Sequence, residues 1–173
     1  NPLNSSHEAH LTHAEIFELI ESASKLIGYT KPVDPKKVEQ SLIDNPDAKI
    51  VAFVHAETST GAISDAKLLC ELARKHGCLN IVDAVTSLAG SELRVDDWGI
   101  DAIYSGSQKC LSAMPGLSPV SFSEKAIHKF THRKTPVTSW FLDLNLVMGY
   151  WGKGAKRAYH HTAPVNTLYG LHE

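Results

Sequence analysis

Cysteine and methionine are scarce here, with three and two respectively in 173 residues. Cys70, Cys78 and Cys110 are odd in number and lack metal-ligand spacing, so they form neither a disulfide framework nor a zinc site. They suit buried or loop thiols in a reducing compartment, and the expectation is a soluble intracellular protein. Net charge is only −2, which gives no basic face for nucleic acid or an anionic membrane. No apolar run approaches the roughly 18 residues that would span a bilayer. The opening NPLNSSHEAHL lacks the basic-then-apolar pattern of a secretory leader. There is no G-x-S-x-G elbow, which disfavours a serine hydrolase. Internal repeats, low-complexity tracts and an obvious interdomain linker are also lacking. GKGAKR (Gly152–Arg157) has neither dinucleotide spacing nor a Walker pattern and reads as a solvated turn.

What is present is a chain that is 43% hydrophobic and 21% charged, enough for one ordinary domain. Its segments alternate. His13–Gly28 carries Ile16, Leu19, Ile20, Ala23 and Ile27 on one helical face. Pro32–Asp44 holds a second helix, with Asp34 as N-cap and Pro35 at the first helical position. Lys49–His55 is a nearly continuous apolar run, typical of a strand covered on both faces. Ser64–Gly77 reads as a helix starting at Ser64 and ending at Gly77. Cys78–Val85, Asp101–Tyr104 and Ser118–Ser123 read as strands, and Ser123 caps a further helix. This order predicts an α/β fold, a three-layer α/β/α arrangement around a mainly parallel sheet.

In such sheets chemistry gathers beyond the carboxyl ends of the strands. HAETSTG, DAVTS and SGSQK all fall there. Lys109 ends the third cluster, and Asp83 ends the strand before the second. A desolvated carboxylate at that position needs a partner. It can cap a backbone turn, pair with Lys109, or hold the protonated ring nitrogen of pyridoxal phosphate (PLP) whose aldehyde Lys109 holds. The last reading uses both residues and the hydroxyls around them. A charge pair at ~4 Å with an effective dielectric of ~20 gains roughly 4 kcal/mol. That raises a ring nitrogen by on the order of three pKa units before desolvation. An anchoring lysine needs a depressed pKa, which a partly buried strand end would favour.

VDAVTSLAG, YSGSQKCLSAMPG and YHHTAP closely resemble class V, fold type I aminotransferases, and within them the serine–pyruvate and alanine–glyoxylate branch. The 26-residue interval from Asp83 to Lys109 agrees with that branch, and the resemblance runs from about Pro32 to Glu173. It implies a PLP-dependent transamination between alanine or serine and glyoxylate or pyruvate. Lys109 resembles the catalytic, cofactor-anchoring lysine, and Asp83 the partner of the pyridine nitrogen. Val85 resembles the apolar residue against the ring, Thr58 a hydroxyl near the ring hydroxyl, and Gln108 a residue on the phosphate side. Tyr159 and Thr162 resemble residues that reach the phosphate of a neighbouring subunit's cofactor, which implies a homodimer with a shared site. No metal is implied.

Two rivals stand beside this reading. One is another class V enzyme, such as a 2-aminoethylphosphonate transaminase or a lyase. Its SANKC-like lysine segment differs from SGSQKC, and a desulfurase needs a mobile cysteine loop not identifiable here. The other is a noncatalytic remnant. No Ser/Gly/His phosphate loop is legible before His55, and none of Arg74, Arg94, Arg133 or Arg157 matches the family's carboxylate-binding arginine. The expectation is therefore a fragment. Residues 1–31 would be an uncertain N-terminal segment with a helix, and 32–173 a partial cofactor domain lacking the small C-terminal domain. His160 and His161, adjacent in an extended segment, should point opposite ways and share no metal. Trp98, Trp140 and Trp151 are expected in the core or at an interface.

Overall fold

Asp34 opens the first described helix as its neighbours dictate. Its carboxylate accepts from the Lys36 N–H at 3.0 Å, and Pro35 supplies a fixed φ at the first position. The computed structural model describes residues 31–151 and 159–173, without the side chains of Tyr150 and Trp151. The helix expected over 13–28, the GKGAKR turn and the Trp151 side chain lie outside the described residues. The elements are α1 (Pro35–Asp44), β1 (Ile50–Val54), α2 (Ala66–Lys75), β2 (Leu79–Asp83), β3 (Ala102–Tyr104), β4 (Val120–Phe122), α3 (Glu124–Thr131), α4 (Leu144–Trp151) and α5 (Val165–His172).

The sheet order is β1-β2-β3-β4. β1, β2 and β3 run parallel, and β4 is antiparallel to β3. Alternation along the strands decides what each face meets. Val51, Phe53, Val82 and Ile103 share one face with the helices, because Val51 packs with Leu42 of α1 and Ala73 of α2. Phe53, Val82 and Ile103 join Cys70, Ile100 and Trp98 in a second cluster. α2 buries Ala66, Leu69, Cys70, Leu72 and Ala73, a single helical stripe. Full burial of Leu69 alone contributes about 2 kcal/mol. On the other face Phe122 shares the side of Ala102 and meets Phe130 of α3 edge-on, with ring centroids 5.6 Å apart. Helices thus lie on both faces of a mainly parallel sheet, as the alternation predicts.

Two local readings change. Asp65, not Ser64, caps α2, accepting from the Leu68 N–H at 2.9 Å, while the Ser64 hydroxyl accepts from the Val33 N–H. Among the described residues β1 lies at the edge of the sheet, and it is covered on one face only, since Ile50 remains 54% exposed. A continuous apolar run cannot distinguish an edge from a centre. Gly77, at φ +73°, stops α2 as expected, in a conformation that side-chain-bearing residues rarely adopt. α4 had no clear sequence signal, being apolar nearly all round.

Candidate active site

The parallel register aligns the ends of three strands: Val54 pairs with Asp83, and Asp83 with Tyr104. The three polar loops therefore leave from one edge, and hydrogen bonds tie them together. The His55 N–H donates to the Asp83 carbonyl at 2.9 Å, and the Thr86 hydroxyl to the Ala56 carbonyl at 2.6 Å. The Ser105 hydroxyl donates to the Ala84 carbonyl at 3.0 Å. The Cys110 thiol lies 3.4 Å from the Thr86 carbonyl.

Asp83 is half-buried at the end of β2. Its Oδ1 accepts from the Val85 N–H at 2.9 Å, closing a local turn, and its Oδ2 accepts from the Tyr104 hydroxyl at 2.8 Å. Val85, also half-buried, follows directly. Burial, that hydrogen bond and the neighbouring negative charge push the Tyr104 hydroxyl up to about 12, so it remains a donor across the physiological range.

Lys109 departs from the expectation. It sits not on a partly buried strand end but on a turn five residues beyond Tyr104, where it is exposed. Among the described residues its ammonium has no ion-pair partner. The serines around it do not face a ligand either. Ser105 bonds the β2 end, while the Ser107 hydroxyl donates to the Met114 carbonyl at 2.6 Å and accepts from the Leu117 N–H at 3.3 Å. They hold the loop's shape and leave Gln108 and Lys109 on its exposed side. A Cβ at Gly106 would stand 2.9 Å from the Gln108 amide oxygen, the end of an exposed side chain that would have to swing aside.

In the first loop Thr58 is exposed. Beside it Glu57 accepts from the Ser59 N–H and hydroxyl at 3.0 and 2.9 Å, which holds its carboxyl below the usual range. His55 is buried against Trp98, with ring centroids 5.9 Å apart and Nδ1 unpartnered, and burial lowers its pKa. Trp98 is a core residue, as expected.

The hydroxyls of Tyr159 and Thr162 bond to each other, and both residues are exposed. Among the described residues no hydrogen bond links them to the Asp83 cluster. Between them His160 and His161 do not point apart. Their Nδ1 atoms lie 2.7 Å from one another, and His160 Nε2 donates to the Trp140 carbonyl at 2.8 Å. The segment is bent rather than extended, so the alternation rule did not apply. No group of three possible metal ligands occurs among the described residues, and no helix there is long and apolar enough to cross a membrane.

Tyr104 is the site residue that sequence reasoning missed. Its signal was a strand-end tyrosine one strand over from Asp83, visible only once the register is known.

The family described as aminotransferase class V matches residues 22–173, reaching ten residues further toward the N-terminus than the motifs alone. The chain is similar to alanine–glyoxylate aminotransferase of Callithrix jacchus, 42% identical over 139 residues, covering 80% of this chain and 33% of that one. It is similar to (S)-ureidoglycine–glyoxylate transaminase of Bacillus subtilis, 37% identical over 158 residues, covering 81% and 37%. The crystal structure of alanine–glyoxylate aminotransferase from Nostoc sp. superposes with a TM-score of 0.74 at 46% identity, covering 79% of this chain and 35% of that chain. The chain spans about a third of the length of these relatives.

Proposed function

The chain belongs to the class V aminotransferase family, and from that premise we propose that it carries the cofactor-binding part of an enzyme that moves an amino group. The donor is a small amino acid, alanine or serine, and the acceptor is glyoxylate or pyruvate. The word glyoxylate in the names of two separate relatives supports that acceptor. The cofactor is PLP, and the donor set suits its reactive end: an anchored carboxylate in Asp83 and an exposed primary amine in Lys109.

Bound, PLP would supply an electron sink for the bond broken at the substrate's α-carbon. The residues divide the remaining work. Lys109 Nζ is the amine that would hold the cofactor's aldehyde and, once free, would serve as general base and acid for the substrate's α-proton. Asp83 would hold the positive charge of the ring nitrogen, Val85 would pack against the ring, Thr58 would hydrogen-bond near the ring hydroxyl, and Gln108 would serve the phosphate side. Tyr159 and Thr162 serve the phosphate of a second copy, so the active unit is a homodimer. Support for the dimer comes from the exposed Trp140, Phe141 and Leu142, brought next to this segment by the contact of Trp140 with His160, whose ring centroids lie 4.0 Å apart at a tilt.

One observation carries the reading: an anionic carboxylate fixed by two donors on the edge from which the SGSQK loop presents a free amine. The test is glycine formation from alanine and glyoxylate, run with added PLP for the wild-type protein and Lys109→Ala. Taken alone, this partial domain is expected to bind PLP weakly and to form little or no glycine, and any glycine formed should need both PLP and Lys109. Equal turnover by Lys109→Ala, or a wild type that takes up no PLP at all, removes the reading.

A further inference from the structure

The Asp83 carboxylate is gripped from two sides. Val85 N–H tethers Oδ1 at 2.9 Å, and the Tyr104 hydroxyl tethers Oδ2 at 2.8 Å. The first contact is local and fixes one oxygen only. A terminal carboxylate torsion is broad and roughly two-fold, so a single tether leaves the second oxygen free to swing. The second contact comes from another strand, across the register pair Asp83–Tyr104. Each carboxylate oxygen has about two lone-pair positions, so both tethers leave room for one more donor.

Tyr104 is not explained by packing. It is 40% exposed, while its neighbours Ile103 and Ser105 are buried. Its ring stands on the sheet face that Asp83 shares, and its one described polar contact is Asp83. Toward a carboxylate oxygen the hydroxyl acts as donor, so this contact fixes Oδ2 in place and leaves its second lone pair open.

We propose that Tyr104 is a positioning residue: it aims the free lone pair of Asp83 at the ring nitrogen of the cofactor. This rests on the reading of Asp83 given above. Tyr104 touches neither substrate nor reacting atoms and acts only through the carboxylate. Removing its hydroxyl should matter only to a ligand that has a ring nitrogen.

The test compares the affinity of the purified protein for PLP and for 1-deaza-PLP, in which a C–H replaces that nitrogen. Four proteins are needed: wild type, Tyr104→Phe, Asp83→Asn and the double variant. Wild type should prefer PLP. Tyr104→Phe should cut that preference about tenfold, the size expected for one hydrogen bond to a charged group, while affinity for the deaza analogue stays unchanged. Asp83→Asn should remove most of the preference, and adding Tyr104→Phe to it should cost nothing more. The proposal is overturned if Tyr104→Phe weakens both ligands alike, leaves the preference intact, or costs as much when Asp83 is already Asn. A wild type with no preference for PLP overturns the Asp83 reading itself, an outcome distinct from the first three.

Discussion

Both oxygens of Asp83 are engaged, and the readings that the sequence set against each other turn out to be compatible. Oδ1 caps the turn at Val85 and Oδ2 accepts from Tyr104, while the spare lone pairs remain available for a charge partner. The two roles can be separated by substitution. Asp83→Asn keeps an acceptor for the Val85 N–H, so it should lower stability by at most about 1 kcal/mol in urea unfolding. It should nonetheless cripple glycine formation, because an amide cannot hold a pyridinium charged. Asp83→Ala should lose the same activity and roughly 1 kcal/mol more stability. Normal turnover by Asp83→Asn would show that the charge is unnecessary. Lys109 is equally specific. Borohydride reduction of the PLP-loaded protein and peptide mapping should mark Lys109. Lys125 is a poor alternative, since its ammonium lies 3.4 Å from the Cys78 carbonyl and 3.8 Å from Asp101, at the opposite edge of the sheet. A mark on Lys125 or Lys134 with Lys109 untouched would refute the assignment.

The SGSQK loop owes its shape to Ser107, which is fully buried and makes four hydrogen bonds to residues 113–117 through its backbone and hydroxyl. Ser107→Ala strips partners from the Met114 carbonyl and the Leu117 N–H. It should cost about 1–3 kcal/mol in urea unfolding and misplace Lys109; an unchanged midpoint would show that the loop is held elsewhere. Nearby, Ala89 and Ser112 adopt left-handed conformations, φ +68° and +55°. Ala89→Gly relieves that penalty and should raise stability by roughly 0.5–1 kcal/mol. These features mark the boundary of what the sequence reveals. Caps at Asp34 and Ser123 were legible, because a cap and its N–H partner lie two or three residues apart. The link from Tyr104 to Asp83 spans 21 residues and depends on strand register. So does the bond from Asp101 to the Asn80 N–H. Local patterns place polar clusters on a sheet edge, but not which hydroxyl meets which carboxylate. The serines of SGSQK looked like ligands for that reason, and they are braces.

Across the whole molecule the two ends of the sheet are specialised differently. At the amino end Asn80 and Asp101 are buried and bond each other three times, with Ser123 closing the network at 2.8 Å to Asp101. That end holds strands together and presents no chemistry. At the carboxyl end lies His55, 3% exposed, with an unpartnered Nδ1. Burial lowers its pKa below the ordinary 6.5, so the folded protein binds this proton less readily than the unfolded chain. Stability from this group is therefore complete above about pH 6.5 and falls as pH drops below it, with a slope of at most about 1.4 kcal/mol per pH unit. The carboxylates held low, such as Glu57, lose their contribution only in the range below their ordinary value of 4.5. The interval between pH 6.5 and 5 thus separates the histidine from these carboxylates. His55→Phe keeps a flat ring beside Trp98 and removes the titrating group. Urea midpoints measured at pH 7.5, 6 and 5 should fall for the wild type and hold nearly level for His55→Phe. A parallel decline in both proteins would mean that acid acts on another group and that His55 is protonated in the folded state as easily as in the unfolded one.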